Sequence, residues 1–393
     1  MSRKLVHVER VKEILSIKDA DKIELAKVLG WQVVVKKGEV KTGDLAVYFE
    51  IDSFLPIEPR FEFLRTSSYK KLNVEEEGTG ILTESEGFRL RTVKMRGQLS
   101  QGLLLSLSAF PELSGTDLVE GLDVTSLLKV KLYEAPIPAN MKGSVKGGFP
   151  GFIKKTDQER LQNLPEYFEK YKNVEFEVTE KIDGTSATFY FNNGQFGVCS
   201  RNLELKDDGN DNIYWKIVKK YNIESLLKKI GKNIALQGEI AGEGINGNPL
   251  RLKGQELFVF DIYDINQGRL LTQHERAKIM QIVVPLMKDN RTLLENKEFT
   301  TFEMSHHVPI IDIDLREFRD KIFMKFSTID EFLSYARGKS LLNSIVKREG
   351  LVFKSKVLID GQIVSFKVIN NDVLLEEKER EQSFHVHDEF HDM

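Results

Sequence analysis

Around residue 140 the hydrophobic pattern of this chain changes, and the break requires two folding units of different kinds. Before it, short apolar stretches (Leu25–Val28, Trp31–Val35, Leu45–Phe49 and Leu103–Leu107) recur between turn formers such as Lys37-Gly38 and Thr42-Gly43-Asp44. That rhythm suits the strands of a small closed barrel. After the break, strand-length runs alternate with helical ones. Ala135-Pro136-Ile137-Pro138 and Gly147-Gly148-Phe149-Pro150-Gly151 lie between the two patterns and are loop compositions. The expected divisions are residues 1–140, residues 141–373, and a charged, His-containing tail over 374–393 that extends or frays.

Composition bounds the setting. The chain has 393 residues, 41% of them hydrophobic and 30% charged, the balance of a folded protein long enough for two domains. Its apolar runs fall far short of the roughly 18 residues of a membrane helix. The opening MSRKLVHVER has no signal-peptide core. The one cysteine, Cys199, precludes an internal disulfide or a multi-cysteine zinc site. A cytoplasmic, intracellular protein with no membrane partner is expected. The net charge of −3 does not mark a nucleic-acid binder, but phosphates need a basic track and not a basic total. Two tracks qualify: Arg89, Arg91, Lys94 and Arg96, then Lys142, Lys146, Lys154 and Lys155. Gly97 and Gly102 within Arg91–Leu103 suit a bulge or tight bend in a basic strand.

In the second unit, Thr156 and Glu159 have capping-box spacing and predict a short helix before Leu164-Pro165. Strands are expected over Val174–Glu180, Thr185–Phe191, Phe196–Ser200, Ile234–Glu239, Leu257–Tyr263, Gly350–Phe353 and Ile363–Val368. Asn193-Gly194 makes a hairpin turn. Helices fit Ile213–Lys220, Glu224–Ile230, His274–Lys288 and Ile329–Ala336.

The chemistry centres on Glu180-Lys181-Ile182-Asp183-Gly184, where a strand ends and a turn begins. A lysine there can attack an α-phosphate only as the neutral amine, and at a reference pKa of about 10.4 that form is scarce near neutral pH. The site must shift the equilibrium by desolvation or a nearby cation. Asp183 is placed to hold a hydrated divalent metal, which would lower the amine's pKa and offset triphosphate charge. Lys-x-Asp-Gly alone is common. What gives it weight is the ordered series that follows: Ser200-Arg201, Gln237-Gly238-Glu239, Phe258-Val259-Phe260-Asp261, Arg348-Glu349-Gly350-Leu351-Val352-Phe353-Lys354 and Ser365-Phe366-Lys367-Val368.

This series resembles the covalent nucleotidyltransferase superfamily, and within it the ATP-dependent RNA ligases related to RNA-editing and phage nick-sealing enzymes. Residues 1–133 resemble the N-terminal OB domain that one subgroup carries, and FIKKTDQERLQN over Phe152–Asn163 also resembles that subgroup. The resemblance implies an α+β fold: a small OB-like β-barrel for nucleic acid, then an ATP-grasp-like nucleotidyltransferase domain of antiparallel sheets with flanking helices. It implies ATP as substrate, Mg²⁺ or Mn²⁺, and RNA ends, or those of an RNA/DNA hybrid, as partner to a monomer. Lys181 would form lysyl-AMP. Glu180 and Arg201 would contact the nucleotide, Glu239 its ribose hydroxyls, and Phe260 would stack on adenine. Glu349 and Asp183 would bind metal through water, while Lys354 and Lys367 would neutralise phosphate. Arg89, Arg91, Lys94 and Arg96 would grip the strand. The reaction would join a 3′-OH to a 5′-phosphate, with nicks in duplex RNA or RNA-containing hybrids as the expected substrate.

Two departures matter. The family's last motif often carries two lysines with one residue between, whereas here Lys367 stands alone with Ser365 before it. With only 26 residues after Lys367, the C-terminal OB domain of DNA ligases and capping enzymes is not expected here. The alternatives are a GTP-dependent capping guanylyltransferase and a non-catalytic nucleic-acid-binding protein with an inactive transferase domain. Arg337-Gly338-Lys339-Ser340 imitates a P-loop end, but the earlier glycine is missing and helix termination is expected. His385, His387 and His391 read as a solvated terminus, and Cys199 as a small buried side chain.

Overall fold

The computed structural model describes residues 4–75, 82–134, 143–207, 209, 212–288, 307–311 and 321–378. Ala135–Pro138, Lys142 and the tail histidines lie outside the described residues. The chain divides into two compact units, Met1–Pro138 with Leu374–Met393, and Ala139–Val373.

Among the described residues the first unit carries twelve strands. They are β1 (Val6–Ser16), β2 (Ile23–Val28), β3 (Trp31–Lys36), β4 (Leu45–Phe49), β5 (Ser53–Leu55), β6 (Tyr69–Glu75), β7 (Leu82–Arg89), β8 (Val93–Met95), β9 (Gln98–Ser100), β10 (Leu103–Ser106), β11 (Leu122–Asp123) and β12 (Lys131–Leu132). An antiparallel sheet runs β10-β4-β1-β2-β3, with β11 beside β1. Its far edge returns toward β10: Gln101 N donates to Gln32 O at 2.9 Å and Val34 N to Ser100 Oγ at 3.0 Å. A register shift between Val11 and Glu13 bends β1. Alternation then supplies two cores. Val6 and Val8 join Phe49, Phe61 and Phe88, while Val11 joins Trp31, Val33 and Tyr48. This is the small β-barrel expected.

The expected basic strand is broken. β8 and β9 form a hairpin whose turn is Arg96-Gly97, with φ of 48° and 77°. Arg96 and Arg91 are exposed and Lys94 half-buried. Arg89 instead pairs with Asp52 at 3.0 Å and lies 4.1 Å over the Tyr133 ring.

Among the described residues the second unit holds eleven more strands. They are β13 (Val145–Gly148), β14 (Glu159–Arg160), β15 (Phe176–Lys181), β16 (Thr185–Asn192), β17 (Gln195–Cys199), β18 (Leu203–Leu205), β19 (Ile234–Gly242), β20 (Gln255–Asp264), β21 (Arg269–Leu270), β22 (Gly350–Ser355) and β23 (Ser365–Ile369). Two sheets form, β13-β18-β17-β16-β19-β20-β21 and β14-β23-β22-β15. All pairs are antiparallel except β14 with β23. Helices Ile213–Tyr221, Ile223–Ile230 and Gln273–Lys288 cover the larger sheet. A phenylalanine-rich core backs the smaller one, including the Phe353–Phe366 stack at 4.7 Å. Among the described residues no helix is long and apolar enough to cross a membrane.

Two local expectations fail. No helix starts at Thr156: its hydroxyl meets Ser186 Oγ at 3.1 Å, Glu159–Arg160 pair with β23 instead, and the helical turn before Leu164 is confined to the 3₁₀ segment Leu161–Asn163. Tertiary pairing wins over the local cap signal. Nor does the tail fray at once, since residues 371–378 are helical.

Candidate active site

The faces of four strands create the site. In β15, Phe176 and Val178 enter the aromatic core, so the alternate residues Thr179 and Lys181 face away from it. In β22 the core takes Leu351 and Phe353 and leaves Val352 and Lys354; in β23 it takes Phe366 and Val368 and leaves Lys367. The opposite wall comes from the larger sheet: Glu239 on β19 and Phe260 on β20. Together these line a cavity of about 300 Å³ with Glu180, Arg201, Asp157, Thr185 and Ser186. Seven residues singled out in the sequence thus share one cavity: Glu180, Lys181, Arg201, Glu239, Phe260, Lys354 and Lys367. Asp183 and Glu349 stand at its edge around Lys181. The barrel residues Arg89, Arg91, Lys94 and Arg96 belong to the other unit.

Register fixes the contacts. Lys181 pairs with Gly350 across β15 and β22, which brings Glu349 Oε2 to 2.8 Å from Lys181 Nζ. Two glycines permit the approach. A Cβ on Gly184 would lie 2.3 Å from Ile240 O, and one on Gly350 2.3 Å from Val368 O.

The electrostatics run against a neutral nucleophile. Burial disfavours the Lys181 ammonium, but Glu349, Glu239 and Asp183 outweigh it and hold the amine above lysine's ordinary value. Three carboxylates thus favour the ammonium, and the shift that a nucleophile needs is left to the nearby cation that the sequence reading also named. Burial and the neighbouring carboxylates, against Lys181, push Glu239 up to about 7, and Glu349 is also raised, first by burial. Lys367 is driven down to about 8 by burial and by the nearby Lys181 and Arg160. Neither Lys367 nor Glu239 has a side-chain hydrogen bond among the described residues. Arg201 is exposed and meets Asp157 at 2.7 Å. The Glu180 carboxylate leaves the nucleotide wall to accept from Leu341 N at 2.7 Å.

The carboxylates give hard oxygen donors of the kind Mg²⁺ and Mn²⁺ prefer. Among the described residues no three His, Cys, Asp or Glu side chains converge tightly enough to hold an ion directly. Asp183 and Glu349 beside Lys181 therefore fit a hydrated ion better than a dehydrated one.

Sequence reasoning missed several groups. Asn246 Nδ2 donates to Asp183 Oδ1 at 2.9 Å and Gly184 O at 2.8 Å, clamping the turn after Lys181. Lys354 is buried, its Nζ 2.8 Å from Asp261 Oδ1 and 2.7 Å from Phe260 O. Burial lowers its pKa, and Asp261 opposes this. Beyond it Arg276 pairs with buried Glu177, lies 4.0 Å from Asp261, and donates from Nε to His307 Nε2 at 3.1 Å. Burial and Arg276 push His307 down to about 4. Asp261, a charge inside an apolar strand, was the one visible hint of this network.

Comparison with known proteins agrees with this geometry. Residues 5–107 match the model of an OB-fold domain and residues 174–369 that of RNA ligase. Among solved structures, a lysine-to-methionine variant of Naegleria gruberi RNA ligase with AMP and Mn is 41% identical, with a TM-score of 0.73, covering 95% of this chain and 99% of that one. A lysine-to-alanine variant with ATP and Mn gives the same figures. The Naegleria gruberi RNA ligase with PPi is 41% identical with a TM-score of 0.72, covering 96% of this chain and all of that one. The curated proteins give no match.

Proposed function

The chain belongs to the RNA ligase family, and from that premise we propose that it is an ATP-dependent ligase sealing nicks in duplex RNA or RNA-containing hybrids. The observation that carries this reading is Lys181 Nζ, 2.8 Å from Glu349, in a cavity that also presents Glu239, Phe260 and three further cations.

Lys181 is the nucleophile. Once it has shed its proton, its nitrogen bonds to the α-phosphorus of ATP as the bond to pyrophosphate breaks. Asp183 and Glu349 would hold Mg²⁺ or Mn²⁺ through water, and the ion would offset phosphate charge and weaken the carboxylates' hold on the ammonium. The Naegleria relatives solved with ATP and Mn, and with AMP and Mn, support this substrate and metal class. Phe260 stacks on adenine and Glu239 accepts from the ribose hydroxyls. Lys354 and Lys367 take up charge as AMP moves. Arg201 exchanges Asp157 for the sugar or the incoming 5′-phosphate. AMP passes to that phosphate, and the 3′-OH then displaces AMP and seals the strand.

Residues 141–373 carry this chemistry in one chain, so a monomer suffices. Residues 1–140 grip RNA through Arg91, Lys94 and Arg96, with Arg89 held at their edge. The protein works in the cytoplasm, in keeping with its single unpaired cysteine. Incubation with α-labelled ATP or GTP tests the nucleotide: label from ATP alone is expected, and label from GTP alone would restore the capping reading. Nicks with ribose or deoxyribose at each end test the substrate. Efficient sealing should require ribose at the 3′-OH side, and equal sealing of all-DNA nicks would contradict the proposal.

A further inference from the structure

The segment from Arg337 to Arg348 leaves the catalytic unit as a fixed hairpin with an unusual outer face. Lys339 and Lys347 bridge across it, Ser340 N donates to Val346 O at 3.0 Å, and Arg348 N to Gly338 O at 3.1 Å. Its base is anchored twice. The Arg348 guanidinium donates to the carbonyls of Tyr335, Ala336 and Arg337 at the end of the preceding helix. Glu180, next to Lys181, accepts from Leu341 N. The inner face is apolar and packed, with Leu342 and Val346 against the cluster that holds Phe260 and Ile182. The outer face is apolar and bare: Leu341 is 59% exposed and Ile345 70%. Around them the segment RGKSLLNSIVKR has four basic residues and no acidic one. Arg348 is taken up by the helix carbonyls, and Arg337 lies 3.6 Å from Asp372. Lys339 Nζ donates to Ile345 O at 2.9 Å, a contact that uses one of an ammonium's three donors.

Solvation alone does not call for two exposed branched aliphatics on a rigid, basic hairpin. The chain leads from Lys347 to Glu349 within two residues, so whatever covers the hairpin adjoins the reacting end. Duplex RNA has the matching chemistry. Its minor groove is wide and shallow, lined by sugars that offer apolar faces, and bordered by phosphates. We propose that the hairpin is a duplex-RNA docking element. Leu341 and Ile345 pack against ribose in the minor groove beside the join, and Lys339 and Lys347 face the flanking phosphates. This rests on the ligase reading and deepens it, because it assigns the catalytic unit its own grip on the double-stranded substrate.

The test uses the full chain with both apolar side chains replaced, Leu341→Ser with Ile345→Ser, and separately Lys339→Ala. Self-adenylylation of each protein is the control that judges the ligase reading independently. The double variant should label with AMP as wild type does, yet seal a nicked RNA duplex roughly tenfold less efficiently at limiting substrate, with the loss recovered at saturation. Lys339→Ala should flatten the salt dependence of duplex binding by about one phosphate contact. Wild-type sealing at limiting substrate by a double variant that still adenylylates would overturn the proposal and leave the ligase reading standing. A hairpin that serves a protein partner would give that same result. Should the double variant misfold, an unchanged salt slope in Lys339→Ala with normal adenylylation would overturn it equally.

Discussion

Both units bury charge, and they do so differently. In the barrel, His7 lies between two carboxylates, Glu9 at 2.7 Å and Glu50 at 3.4 Å, and all three side chains are buried. Burial opposes the imidazolium, but its hydrogen bonds to Glu50 and Glu9 raise His7 to about 9. The cluster closes on itself. In the catalytic unit, by contrast, Lys181, Glu239 and Lys367 stand on the wall of a cavity. Among the described residues Glu239 and Lys367 have no side-chain hydrogen bond, and the carboxylates around Lys181 favour its ammonium form. Buried charge matched internally is architecture; buried charge left unmatched on a cavity wall awaits a charged ligand.

The largest effect expected on stability comes from the inner network of the catalytic unit. Arg276→Met leaves Glu177 and Asp261 buried with too little positive charge, and should cost about 3–5 kcal/mol. Denaturant unfolding should show the loss in the catalytic unit, and an unchanged midpoint would mean that the network is not the support described.

The barrel offers the next test. Because the folded pKa of His7 lies above the unfolded value of about 6.5, its contribution is complete below that pH and fades as pH rises through about 9. The span corresponds to about 3 kcal/mol. Thermal melting of the barrel should fall between those values, and His7→Gln should be destabilised at pH 6 yet converge on wild type at pH 10. A constant gap at both pH values would break the comparison.

In the catalytic cavity, Glu349→Gln should slow self-adenylylation roughly a hundredfold while leaving the melting temperature within a few degrees. A rate near wild type would show that Glu349 is merely the ion-pair partner of Lys181. Smallest of all, Lys228→Ala removes only the exposed Lys228–Glu224 pair on helix Ile223–Ile230, and should change stability by less than about 0.5 kcal/mol.

Much of this was legible in the sequence because it is local. Strands such as Leu45–Phe49 and helices such as Ile329–Ala336 show their own periodicity. The cavity residues were found because their ordered series resembles the motifs of RNA ligases; that resemblance, not periodicity, assigned their roles. What escaped depends on distant partners. Glu177 and Arg276 are 99 positions apart and no nearby residue marks either. Asn246 reaches Asp183 from a loop whose only signal is its asparagines and glycines. The helix expected at Thr156 failed because Ser186 and β23 compete for the same residues. The carboxylates around Lys181 were only partly visible, because their number is a property of the fold, not of the tetrapeptide.

The central claim is that one amine takes an adenylate covalently. Peptide mapping by mass spectrometry after exposure to ATP and Mg²⁺ or Mn²⁺ addresses it directly. The account predicts a single AMP on Lys181 through an acid-labile nitrogen–phosphorus bond, absent from Lys181→Ala. An adenylate on another side chain, or an unmodified chain under every metal and pH, would contradict it.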